Sequence, residues 1–123
     1  MSTTYKDLAE KITEWAQEKK AEDITFFDVH GKTDYTDGII ICHGTADLHV
    51  KAIAENIVDK AHEEKIQILS VEGMDNAAWV LIDMIDIIVH VFSEEVRGYY
   101  QLEDLFTIKS KKELESEHVE KQD

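Results

Sequence analysis

The sequence predicts a mixed α/β domain, a five-stranded sheet flanked by helices with the elements in the order αββαβββα. Three observations carry that prediction. Apolar residues recur at helical spacing in two long segments, with short β-branched runs between and after them. Ile39-Ile40-Ile41-Cys42 is a continuous apolar run, the pattern of a strand covered on both faces. Segments 78–83 and 87–92 are separated only by Met84-Ile85-Asp86, a spacing that permits an antiparallel hairpin and no crossover.

Each element has its own signal. In residues 4–21, Leu8, Ile12, Trp15 and Ala16 share one helical face, and Thr3 or Thr4 offers a cap. Residues 24–29 are β-branched and aromatic and end at His30-Gly31, which reads as a strand and a turn. Residues 35–43 form the second strand, and Gly44-Thr45 breaks it and caps the next helix. That helix carries Val50, Ile53, Ala54, Ile57, Val58 and Ala61 on one stripe and leaves Lys51, Glu55, Asp59 and Lys60 outside. Residues 66–71 read as a third strand closed by Glu72-Gly73, and the hairpin follows. A last helix starts after Ser93, where acidic residues favour the positive end of the helix dipole, and Leu102, Leu105 and Phe106 pack its continuation.

The chain has 123 residues and 14.1 kDa, the size of one domain. We place that domain at residues 1–106. From 107 to 123 the composition turns to mixed charge with few apolar residues, which predicts a frayed or disordered tail. The chain holds 13 Lys+Arg against 27 Asp+Glu, a net charge of -14. The tail's four lysines nearly balance its five acidic residues, so the acidity lies on the folded part. Such a charge opposes binding to bare nucleic acid and to anionic membranes, and it favours a basic protein partner. Cys42 is the only cysteine, which excludes an intrachain disulfide and a cysteine metal cluster. The first residues lack a signal-peptide pattern and no apolar run approaches a membrane span, so the chain reads as soluble and cytoplasmic.

Candidate chemistry is sparse. His43 and His49 straddle the strand–helix junction, but a zinc site needs three or four ligands and no HxH, HExxH or Cys/His spacing is present. No cofactor or metal is therefore expected. Gly44-Thr45 could cradle an anion at a helix start, yet it lacks the glycines and lysine of a phosphate loop, and a simple turn and cap explains it better. Asp34, Asp37, Asp83 and Asp86 are the carboxylates available to hold magnesium for nucleotidyl transfer, although turn chemistry alone accounts for Asp83 and Asp86. No nucleophile triad can be assembled, since Cys42 lies inside an apolar run. Trp79 is open to two readings. Alternation puts Trp79, Leu81 and Asp83 on one strand face and Val80 and Ile82 on the other. Trp79 is then either core or an interface anchor, with Tyr99, Tyr100, Leu102, Leu105 and Phe106 close enough in sequence to extend an anchoring patch.

Two ordered sets of residues resemble the ribosomal silencing factor family, also called Iojap-like. The first is Asp28-Val29, Gly31-Lys32, Thr36-Asp37, Ile40-Ile41-Cys42, Gly44-Thr45 and His49-Val50. The second is Val71-Glu72-Gly73, Trp79, Asp83, Asp86, Val89-His90-Val91, Glu94-Glu95, Arg97, Tyr100 and Leu102-Glu103-Asp104-Leu105. The resemblance implies a nucleotidyltransferase-like fold without the activity, hence no enzyme. It implies a cytoplasmic translational repressor that binds the large ribosomal subunit through ribosomal protein fourteen (uL14), blocks joining of the small subunit, and forms a homodimer when free. It places Trp79 at the ribosomal-protein interface, with Asp83, Met84, Tyr100 and Leu102 in or beside it. The alternatives are a magnesium-dependent nucleotidyltransferase using Asp34, Asp37 or Asp83, and a general acidic adaptor for another basic protein. Three positions depart from the family pattern. Ile85 stands where glycine is usual, which predicts a different hairpin turn because a β-branched residue resists positive φ. Leu48 replaces a basic residue and Phe106 a tryptophan.

Overall fold

The computed structural model describes residues 4–96. Its elements run α1 (Tyr5–Glu18), β1 (Glu22–Asp28), β2 (Gly38–Gly44), α2 (Asp47–Glu63), β3 (Ser70–Glu72), β4 (Trp79–Asp83) and β5 (Ile87–Ser93). Residues 94–96 then turn helical, as the acidic start after Ser93 predicts. The remainder of the expected last helix and the tail fall outside the described residues, and so do Tyr99, Tyr100, Leu102, Leu105 and Phe106.

The five strands form one mixed sheet in the order β1-β2-β5-β4-β3. The tight β4–β5 connection gives an antiparallel pair, with Trp79 opposite Phe92 and Leu81 opposite His90. β2 and β5 are parallel neighbours at the centre, Ile41 opposite His90 and His43 opposite Phe92. Central placement explains why the apolar run in β2 is buried along its whole length. β1 pairs antiparallel with β2, with a register shift between Glu22 and Thr25.

α1 and α2 cover the same sheet face. The stripe Leu8, Ala9, Ile12, Trp15 and Ala16 meets Val50, Ile53, Ala54, Ile57 and Ala61 over Ile40, Cys42, Val80, Ile82, Val89 and Val91. These are the alternate positions that period-2 geometry sends to one side. The opposite face carries its own cluster of Val29, Ile39, Ile41 and Phe92, against which Phe27, Trp79 and Val96 pack.

Two elements differ from the sequence reading. The third strand pairs only over Ser70–Glu72, because Ile66 and Ile68 turn inward to the helix-side core. The cap of α2 is Ala46, which makes no side-chain capping bond. Thr45 instead donates its backbone N–H to His49 Nδ1 at 2.9 Å. Both helices stop without a glycine. Lys20 and Lys65 take the left-handed position at φ 60 and 61. The bonds Ala21 N–H to Ala16 O and Ile66 N–H to Ala61 O close a Schellman motif in each case.

Candidate partner-binding face

Trp79 opens β4 on the sheet face turned away from α1 and α2. It is half-buried. Its ring lies 4.8 Å from Phe92, tilted at 46°, a favourable aromatic geometry. Its indole N–H donates to His90 Nδ1 at 3.1 Å. That bond assigns the acceptor role to Nδ1, so the neutral ring carries its proton on Nε2. His90 is fully buried and stacks on Phe92 at 5.9 Å with the planes 5° apart. Trp79 is thus neither loose on the surface nor part of the helix-side core. It is an amphipathic plate with its edge fixed by a histidine and its face braced by a phenylalanine.

Behind Trp79 the backbone approach is tight. Gly73 has φ 88, and a Cβ there would meet the Trp79 carbonyl oxygen. Glycine is required at this position on both counts. Ala77, at φ 59, completes the sharp entry into β4 through its N–H bond to the Gly73 carbonyl at 2.8 Å.

At the other end of the hairpin, Asp83 is half-buried and its Oδ1 accepts the Ile85 N–H at 2.8 Å. The Asp86 N–H reaches the Met84 carbonyl at 2.8 Å across Ile85, whose φ is 72. This is a three-residue γ-turn of the strained, positive-φ hand. The expectation that Ile85 would resist positive φ is therefore corrected. Ile85 takes a positive φ because Asp83 and the Met84–Ile87 pairing hold both flanks, and it absorbs the strain. Met84 is only 3% exposed and packs into the helix-side core, so it supports the tip from beneath. Among the described residues, the face thus collects Trp79 and Asp83 with Met84 below the tip. Tyr100 and Leu102 lie outside them. His90 enters the sequence reading only within the family resemblance and with no site role, although alternation in 87–92 and the short hairpin together would have put it beside Trp79.

The other candidates separate. His49 does not converge with His43. Its Nε2 lies 2.7 Å from the Lys19 carbonyl, and with Nδ1 accepting from Thr45 it joins the start of α2 to the end of α1. The start of α2 opens into a cleft of about 530 Å³ lined by Asp47, Glu94 and Glu95, beside Leu48, and those carboxylates repel the anion the junction was weighed for. Asp37 sits 2.8 Å from His30 Nδ1. Asp34, Asp37, Asp83 and Asp86 form no three-ligand group among the described residues. Asp28 binds the Tyr5 hydroxyl at 3.1 Å. The His30 backbone N–H holds its carboxyl below the ordinary value, and Tyr5 and nearby positive charges add to that against some desolvation. Partial desolvation, reinforced by Asp28, pushes the Tyr5 phenol up. No helix among the described residues is long and apolar enough to cross a membrane.

Comparison with known proteins converges on one family. Residues 2–123 match the family model described as "Ribosomal silencing factor during starvation". A ribosomal silencing factor of Bacillus subtilis is 47% identical over 89 residues, 72% of this chain and 75% of that protein. Among solved structures, a protein from Chromobacterium violaceum superposes with a TM-score of 0.82 at 29% identity, covering 88% of this chain and 90% of that one. A second, from Bacillus halodurans, gives 0.75 at 38% identity over 82% of this chain and 94% of that one.

Proposed function

The chain belongs to the ribosomal silencing factor family, and from that premise we propose that it represses translation by binding the large ribosomal subunit through ribosomal protein fourteen (uL14) and blocking joining of the small subunit. The mechanism is occlusion. It needs a rigid, correctly placed surface and no reacting group, so the nucleotidyltransferase-like fold serves here as a scaffold without that activity. The observation that supports the reading is Trp79, half-buried, with its edge hydrogen-bonded to His90 and its face against Phe92. An aromatic side chain already fixed in place loses little conformational entropy on docking, which makes it an effective anchor. Asp83 sits on the same strand face, Met84 stiffens the tip, and Tyr100 and Leu102 complete the proposed contact surface. The net charge of -14 raises the rate of encounter with a basic ribosomal protein. The protein works in the cytoplasm and is a homodimer when off the ribosome.

The test is subunit joining. Purified small and large subunits are mixed with magnesium, and light scattering follows formation of the complete ribosome. The proposal expects the protein at molar excess over large subunits to suppress the scattering rise, and preincubation with free uL14 to restore it. Unchanged joining at saturating protein would remove occlusion as the mechanism. An acidic adaptor for some other protein would leave joining untouched.

A further inference from the structure

The geometry points to a divalent transition-metal site, formed by Glu22, His43 and Glu94, at the end of the sheet where β1, β2 and β5 come together. The sheet itself makes this juxtaposition. Glu22 is the register partner of His43 across the β1–β2 pair. His43 is the register partner of Phe92 across the β2–β5 pair, and Glu94 follows Phe92 by two residues. The register shift in β1, with Asp23 at φ 47, sits immediately after Glu22 and sets it apart from the regular ladder. The donor atoms of the three side chains lie within 4.8 Å of one another.

Burial is uneven in a way that suits a metal. The His43 side chain is only 7% exposed, and its Nε2 is aimed at Glu22 Oε1 at 3.1 Å, while Glu22 itself is 49% exposed. Glu94 is exposed. A buried imidazole is thus directed outward to two carboxylates that solvent can reach. One imidazole nitrogen and two carboxylate oxygens suit zinc, whereas magnesium and calcium favour all-oxygen sets. Zinc–ligand bonds of about 2.0–2.2 Å require the three donors to close in by small side-chain rotations, which the exposed glutamates can make. Water fills the fourth position. Bound there, the metal ties the edge strand β1 to the chain leaving β5, two residues from Phe92 and hence near the Trp79 plate.

The experiment is titration calorimetry of the full chain with zinc chloride in a non-chelating buffer, paired with thermal denaturation. The expected result is one saturable site per chain and a raised melting midpoint. Glu94→Gln and Glu22→Gln, both at exposed positions, weaken the site by at least about tenfold, a scale that even outer-shell changes reach. Glu95→Gln leaves affinity unchanged. Cobalt substituted for zinc gives visible absorption that His43→Asn abolishes. Magnesium gives no saturable heat. Absence of one-to-one zinc binding up to millimolar concentration overturns the site. So does binding that survives both glutamine variants, which would place the zinc on other histidines. None of these readouts depends on ribosomes, so failure here leaves the proposed repression untouched, and the reverse holds.

Discussion

Replacing Ile85 by glycine and by alanine isolates the strain in the hairpin tip. Ile85 sits at φ 72 in a γ-turn closed by the Asp86 N–H and the Met84 carbonyl. For an L-residue the left-handed region costs roughly 1–2 kcal/mol. Glycine removes that cost but adds unfolded-state freedom worth about 0.4–1 kcal/mol. Both variants lose the same isoleucine side chain, 44% exposed in the parent, so its packing cancels in the comparison. The glycine variant should therefore be more stable than the alanine variant by about 1 kcal/mol or slightly less. In a chain of this size that separates melting midpoints by about 3–4 °C. At an ordinary exposed site with negative φ the order reverses, and alanine wins. Urea denaturation followed by far-UV circular dichroism measures the difference directly. Equal stability, or alanine above glycine, would refute the assignment of a strained turn at Ile85.

Three further outcomes follow from local geometry. Gly73→Ala should destabilise the fold by more than about 2 kcal/mol, since it adds left-handed strain to a clash with the Trp79 carbonyl; chemical denaturation checks this. Lys65→Gly should stabilise it by about 0.5 kcal/mol, because glycine suits the left-handed position of the Schellman motif while some favourable dipole interaction of the lysine is lost; the same assay reads it. Asp28 has a folded-state pKa below its ordinary 3.8, so its stabilising contribution is complete above that value and disappears as pH falls through the lower one. Asp28→Asn should accordingly flatten the loss of stability below pH 3.8, seen by urea midpoints measured stepwise into acid.

Much of this architecture is written locally. The α1 stripe from Leu8 to Ala16 and the Thr4 cap are short-range facts, and the structure has Thr4 accepting the Asp7 N–H at 3.1 Å. The α2 stripe, the buried β2 run and the β4–β5 hairpin follow from spacing in the same way. The features that sequence left open depend on distant partners. Residues 66–71 look like a strand by composition, but Ile66 and Ile68 find a better place under the helices than in the sheet. Lysine at a helix stop gives no local signal, so the ends of α1 and α2 emerge only from the backbone bonds at Ala16 and Ala61. The sequence favours an ordinary polar side chain for His49 over a ligand beside His43, but its actual partner at the Lys19 carbonyl on the end of α1 has no local signal. The alternation of β4 put Trp79 and Asp83 on one face, whereas the bond from Trp79 to His90 needed the register of β4 on β5.

The central claim is that this protein docks on the large subunit through Trp79. Co-sedimentation with separated subunits at physiological salt, for the parent and Trp79→Ala, tests it most directly, with circular dichroism confirming that the variant is folded. The account predicts that the parent pellets with large subunits alone and that the folded variant stays in the supernatant. Equal pelleting of a folded Trp79→Ala variant, or no pelleting of the parent with large subunits, would contradict it.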